Sequence, residues 1–339
     1  MMSTQIKTYT EDLFEAAENP MVGQEAVAGR TLTYWQDTCK RFLRNKAALI
    51  GLVIITILVI MSIIGPSMSK FGFDDQDLVR SKLPPKVPVL ENISWLGFSG
   101  KDMNGIDQYA RKGVTDYFWF GTDELGRDLW TRVWQGTRVS LYIALLAAAI
   151  DLIIGVAYGG ISAFYGGKVD NVMQRIVEVL VGIPNLIVTI LLILVLKPGI
   201  MTLTLAMVLT GWIGMARIVR GQILKLKDQE YVLAARTLGA KDFRLLWKHL
   251  IPNTLGPIIV TSMFTVPGAI FTEAFLSFIG LGLQPPVASL GTLVNDGFKM
   301  MRINPHMMIS SSVIISLIMI SFNLLGDGLR DALDPKMRR

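Results

Sequence analysis

Three carboxylates stand inside strongly apolar runs of this sequence: Asp151, Glu178 and Glu273. A charge left facing lipid at mid-bilayer costs about 2.5–3.5 kcal/mol on insertion scales, so each must face protein, water or an interface. Asp151, near the middle of its run, either is held by an interhelical hydrogen bond or salt bridge or lines a pathway. Glu178 lies one helical turn from Arg175, a spacing that favours a structural ion pair. Glu273 lies near one end of its run, where it lines a pathway or reaches the membrane surface. Asp151 and Glu273 would also be the titrating groups of a self-sufficient proton-coupled carrier. Other chemistry lacks its residues. Gly166-Gly167-Lys168 resembles a phosphate-cradling loop only in part, because such a loop needs Gly at Ser162 and Ser or Thr at Val169. There is no His-Glu-x-x-His pair and no Gly-x-Ser-x-Gly elbow. The lone Cys39 with His249 and His306 provides too few ligands for a metal cluster. Neither catalysis, redox chemistry nor nucleic-acid binding is expected, and uphill movement of a solute would take its energy from another chain.

The elements that must position these residues are membrane spans. The sequence is 51% hydrophobic and only 18% charged, and its apolar residues gather in runs about as long as a hydrocarbon core is thick. Lys40, Arg41, Arg44 and Lys46 precede the first run, 47–65, closed by Pro66; by the positive-inside rule this puts the N-terminus in the cytoplasm. No cleaved signal peptide is visible in the acidic first 37 residues. Residues 67–138 then form an outer segment able to fold as a small cap. Its end carries an apolar stripe of Leu129, Trp130, Val133 and Trp134, with the two Trp expected at the interface. Arg127, Arg132 and Arg138 break the charge rule there, which acid-first pairs Asp123–Arg127 and Asp128–Arg132 would soften. Further spans are expected at 139–164, at 172–196 with a kink at Pro184, at 201–216 ending before Arg217 and Arg220, at 255–279 containing Pro267, and at 307–325. An outer loop through Pro285-Pro286 precedes the last span. Asp327, Arg330 and Asp331 share one face of the tail and read as a solvated cap. The expected organisation is a cytoplasmic segment 1–46, a first span 47–66, an extracytoplasmic segment 67–138, a five-helix core 139–325 with a cytoplasmic loop 217–252, and a cytoplasmic tail 326–339. This is an all-α polytopic protein with six spans and both termini inside.

Within that loop, residues 228–252 read as helix, glycine turn, helix. Tyr231, Ala234, Ala235 and Leu238 recur at helical spacing, and Phe243, Leu246, Trp247 and Leu250 repeat the pattern. Gly239 ends the first helix and Pro252 prevents the second from continuing unchanged. Helices this short are marginal alone and need a partner. Ala234, Ala235 and Gly239 would let one come close, with Arg236, Lys241, Arg244 and Lys248 as a basic rim.

Ala234-Ala235, Gly239 and Ile251-Pro252 resemble the EAA loop of ABC importer permeases, although Leu233 stands where that family often has Glu. FGTDELGRD at 120–128, EAFLSFIGLGLQPP at 273–286 and FNLLGDGLRDALDP at 322–335 resemble the peptide and nickel branch, most closely its C-type subunit, over residues from about 41 onward. The resemblance implies the type I importer permease fold in a bacterial cytoplasmic membrane. It implies a heterodimer with a homologous B-type permease, two cytoplasmic ATPases that carry the ATP and Mg, and an extracytoplasmic peptide-binding protein; no cofactor is expected on this chain. The docking residues it implies are Ala234, Ala235, Arg236, Gly239, Ala240, Lys241, Ile251 and Pro252.

Overall fold

The computed structural model describes residues 33–88, 90–92 and 97–334. The acidic N-terminal stretch and the last five residues lie outside them. Within a bilayer every backbone polar group must find an internal partner, which long apolar helices achieve. A surface helix α1 (Tyr34–Arg44) is followed by α2 (Lys46–Met68), started by the Asn45 side chain accepting the Ala47 and Ala48 N–H groups.

The first span does not close at Pro66 as expected; α2 runs through it to Met68. Proline has no N–H for the carbonyl four residues back, here Ser62. Arg138 supplies the missing donor: its Nε donates to the Ser62 carbonyl and its Nη2 to the Ile63 carbonyl, both at 2.9 Å. The Trp130 Nε1 donates to the Gly65 carbonyl at 2.8 Å. The arginine that breaks the charge rule thus serves the carbonyl that Pro66 leaves open.

The described residues between 69 and 128 pack around Leu83, Tyr109 and Phe118 with Phe71 as a small cap, and include α3 (Gln108–Lys112). Its last residues differ from expectation in one pairing. Asp123 and Arg127 do pair, at 2.7 Å, but both are buried. Asp128 instead caps the next helix, accepting from Trp130 N and Thr131 Oγ1 at 3.2 and 2.8 Å. Arg132 therefore turns to Asp123, at 3.4 Å.

That next helix, α4 (Leu129–Tyr165), is 37 residues long and begins ten residues before the expected start. Trp134 is buried in its packing against Gly65 of α2. Helix α7 (Ile200–Leu226) lies along α4. Gly155 and Gly159 of α4 permit the close approach: a Cβ on Gly155 would stand 2.6 Å from Met215 Cβ, and one on Gly159 would overlap the Ala216 carbonyl. This is small-xxx-small packing, which lets backbones meet where lipid offers no hydrophobic drive.

The expected kinked third span is a pair of helices, α5 (Gly167–Gly182) and α6 (Asn185–Leu196), bent by 78°. Pro184 excludes the helical conformation from its predecessor, and Ile183 is extended at φ −91°, ψ 121°. α7 also corrects the expectation, continuing past Ala216 and carrying Arg217 and Arg220 within it. Arg220 forms a fork with Asp170 of α5, Nε to Oδ1 at 2.7 Å and Nη2 to Oδ2 at 2.6 Å.

Beyond the loop come α8 (Glu230–Thr237), α9 (Asp242–Arg244), a π-helical turn Leu245–Leu250, α10 (Ile251–Asn253) and the span α11 (Leu255–Phe278). The loop after it contains an unexpected helix, α12 (Leu290–Lys299), started by a Ser289/Thr292 capping box. The last span, α13 (His306–Leu333), absorbs the tail: Gly328, Ala332 and Leu333 are buried, Gly328 against Ala48, while Asp327, Arg330 and Asp331 are exposed. Among the described residues five unbroken helices are long and apolar enough to cross a membrane, and the bent pair makes six if it counts as one span. The cap and α12 share one end of the bundle. At the other end Lys227 Nζ donates to Ala163 O of α4 at 3.3 Å, Gly256 lies beside Leu333 of α13, and α1 packs on α13.

Candidate functional site

The loop is seated by a face other than the one its spacing suggests. Val232 is fully buried and Ala235 partly so, packed with Leu245, Leu246, Leu250 and Ile251 onto Val219 and Ile223 of α7 and Phe164 of α4. Of the apolar face Tyr231, Ala234, Ala235 and Leu238, only Ala235 turns partly inward; Tyr231, Ala234 and Leu238 are exposed. The second stripe divides in the same way. Leu246 and Leu250 turn inward, whereas Phe243 and Trp247 turn out with ring centroids 6.1 Å apart. The π-helical turn contributes to this division, since a wider turn rotates the residues after it around the helix axis.

The outward side is therefore apolar and unpartnered within the chain. Leu238 is 88% exposed and Phe243 75%, beside exposed Tyr231, Leu233 and Trp247. Arg236, Lys241, Arg244 and Lys248 are exposed around them. Gly239 turns the chain at φ +82°, and a Cβ added there would meet nothing within 4 Å. Its glycine meets a backbone requirement, and the space beside it is open. Of the other anticipated residues, Ala234 and Pro252 are exposed, Ala235 and Ala240 half-buried, and Ile251 buried at the root of the loop. Clustered exposed apolar side chains with a polar rim mark an interaction surface, for protein or for membrane. Val232 was missed because its i+3 partner Ala235 also fits the expected stripe; Leu233, Phe243 and Trp247 on one exposed side were the available signal.

The intramembrane carboxylates are not brought together. Asp151 faces protein, as expected, in a recess of α7 that exists because Gly211 has no side chain. Neither the hydrogen bond nor the salt bridge considered for it is formed: its Oδ1 is buried without a partner. Glu178 is exposed and pairs with Arg175 at 2.7 Å. Glu273 neither lines an open channel within this chain nor reaches a surface. It is wholly buried and accepts from Ser140 Oγ at 2.9 Å and Ser277 Oγ at 2.7 Å, while Leu290 N donates to Ser140 Oγ at 3.1 Å. The carboxylate ties α4, α11 and α12 together at the cap end. Among the described residues no three His, Cys, Asp or Glu side chains are placed to hold a metal ion.

Comparison with known proteins gives this arrangement a family. Residues 152–339 match the model of the binding-protein-dependent transport system inner membrane component, and residues 33–85 that of the N-terminal TM domain of oligopeptide transport permease C. The chain is 44% identical to the oligopeptide transport system permease protein OppC of Bacillus subtilis (strain 168), covering 97% of this chain and 98% of the relative. It is 46% identical to the dipeptide transport system permease protein DppC of the same organism, over 93% and 90%. With OppC of Escherichia coli (strain K12) the identity is 37%, over 92% and 94%. A chain of the MetNI methionine ABC transporter, solved in inward-facing conformations, superimposes with a TM-score of 0.51 at 18% identity, covering 60% of this chain and 96% of that one, a likeness of fold. The chain belongs to the family of binding-protein-dependent transport system inner membrane components: it is a multi-pass permease subunit of the cytoplasmic membrane and not itself catalytic.

Proposed function

We propose that this chain is the C-type permease of a peptide ABC importer, forming half of the translocation pathway beside a homologous B-type permease. Two cytoplasmic ATPases supply the energy, and an extracytoplasmic binding protein delivers oligopeptides or dipeptides at the cap end. The names of the relatives, oligopeptide and dipeptide permeases, support the cargo class. The observation that carries the coupling is the loop. It is rooted in α4 and α7 through Val232, Leu246 and Leu250, yet offers Tyr231, Leu238, Phe243 and Trp247 to a partner inside a basic rim. The rim agrees with a cytoplasmic position for that end. Ala234 and Gly239 leave room for an ATPase groove, and Arg236 and Lys241 flank it. ATP-driven movement of the ATPases would shift the loop and, through α4 and α7, change the packing of the spans.

The test is a mild-detergent pull-down on tagged protein paired with Gly239→Trp. At φ +82° a side chain costs about 1–2 kcal/mol in backbone strain, a local cost that leaves insertion intact. The expected result is recovery of a second six-span subunit and two Walker-motif ATPases with the unmodified chain, and loss of both the ATPases and peptide uptake with the variant. Normal uptake by Gly239→Trp would overturn the docking assignment.

A further inference from the structure

At the cap end, a cavity of about 300 Å³ lies between the start of α4, the 280–287 turn and α12. Arg132, Asn295, Asp296 and Lys299 are among the residues that line it. Arg132 is only 3% exposed, and its guanidinium is under-used. Nη1 donates to the Phe73 carbonyl at 3.3 Å, while Nε is buried without a hydrogen bond. Its nearest carboxylate is already committed. Asp123 accepts Arg127 Nε at 2.7 Å through Oδ2, and the Leu125 and Arg127 N–H groups at 2.9 Å through Oδ1. Arg132 is left the longer 3.4 Å approach.

Buried polar groups are nearly always hydrogen-bonded, and a guanidinium with free donors is built to take a carboxylate in a fork. Other groups suit the rest of a peptide terminus. The Asn295 Nδ2 donates weakly to Ser277 O at 3.4 Å, leaving its own carbonyl oxygen free. Lys299 stands exposed at the cavity, 3.8 Å from Asp296. Burial pushes the Asp296 carboxyl above its usual range, while Lys299 and Arg132 pull it down, so the cavity wall carries both signs.

We infer that this cavity is a subsite for the free C-terminal carboxylate of cargo peptide, with Arg132 as the specificity-determining residue. The inference rests on the peptide-importer reading. A carboxylate on the docked binding protein shares the same chemistry, and the experiment separates the two sources.

The assembled importer in proteoliposomes, with saturating binding protein, is given one labelled peptide as free acid and as C-terminal amide. Uptake is normalised to inserted protein. Because every variant shares one binding protein, a change in the acid-to-amide ratio belongs to the permease. The unmodified importer should prefer the acid by at least about tenfold, the scale of a charge-assisted fork. Arg132→Gln should bring the ratio close to one while amide uptake persists. Arg132→Lys, which keeps the charge beside Asp123 but loses the fork, should at least halve the ratio even if the glutamine variant fails to insert. A ratio unchanged in either inserted variant overturns the subsite. An equal fall in both forms also overturns it, by assigning Arg132 to the binding protein or to structure. No uptake of either form by the unmodified importer would refute the peptide-importer reading itself.

Discussion

Pro66 and Arg138 should behave as a coupled pair. Proline withholds one N–H from α2, and Arg138 donates to the Ser62 and Ile63 carbonyls at 2.9 Å each. A hydrogen bond to a charged group contributes about 1.5–3 kcal/mol when desolvated, but Arg138 is exposed on the isolated chain. Discounting for that exposure, Arg138→Met should cost about 2 kcal/mol in total. Pro66→Ala returns an N–H to Ser62, so in that background the loss of Arg138 no longer strands the carbonyl. There Arg138→Met should cost about 1 kcal/mol less, and this difference is the coupling energy of the cycle. Any separate effect of removing proline from the helix cancels. The assay is unfolding of purified protein in mixed micelles by SDS titration, on both single variants and the double variant. Additivity within about 0.5 kcal/mol would refute the reasoning, because it would mean that Arg138 does not replace the missing donor.

Two other predictions address the spans. Gly159→Ala should destabilise the protein by about 1–3 kcal/mol, since its Cβ would overlap the Ala216 carbonyl, a backbone atom. The adjacent Gly160→Ala, whose nearest atom would be Leu246 Cδ1 at 3.6 Å, should have little packing effect; equal thermal stability of the two variants would sink the close-approach account. Glu273→Leu strands the Ser140 and Ser277 hydroxyls and should cost about 2–4 kcal/mol, whereas Glu273→Gln keeps an acceptor and should cost less. Limited proteolysis around α12 reads the difference, and equal protection in both variants would remove Glu273 from the network that holds that helix.

Much of this architecture was legible because spans announce themselves. Apolar runs of bilayer length can be counted, and the basic loop between the fourth and fifth was found by composition alone. Boundaries were less visible where a helix outlives its apolar run. α7 carries Arg217 and Arg220 because Asp170 on α5 receives the latter, a partner fifty residues away that no local pattern reveals. α12 was hidden inside a loop because its ten residues are too few to span and its glycines weaken the helical signal. In the loop 227–254 the existence and turn of the helices were readable from Gly239, but their faces were not. The π-helical turn Leu245–Leu250 departs from 3.6-residue spacing, so ideal spacing put Trp247 on one face with Leu246 and Leu250, which the structure buries while Trp247 stays exposed.

The length of α4 has a mechanical consequence. Its 37 residues at 1.5 Å each make a rod about 55 Å long, nearly twice the thickness of a hydrocarbon core. No proline interrupts it. One extremity holds Arg132 beside the cap, and the other lies against Leu246 of the loop by way of Gly160. In such a lever a tilt of about 5° about one extremity carries the other through about 5 Å, close to one helical turn. A push on the loop need not pass from side chain to side chain across the bilayer. It can arrive at the far surface as the swing of a single stiff beam.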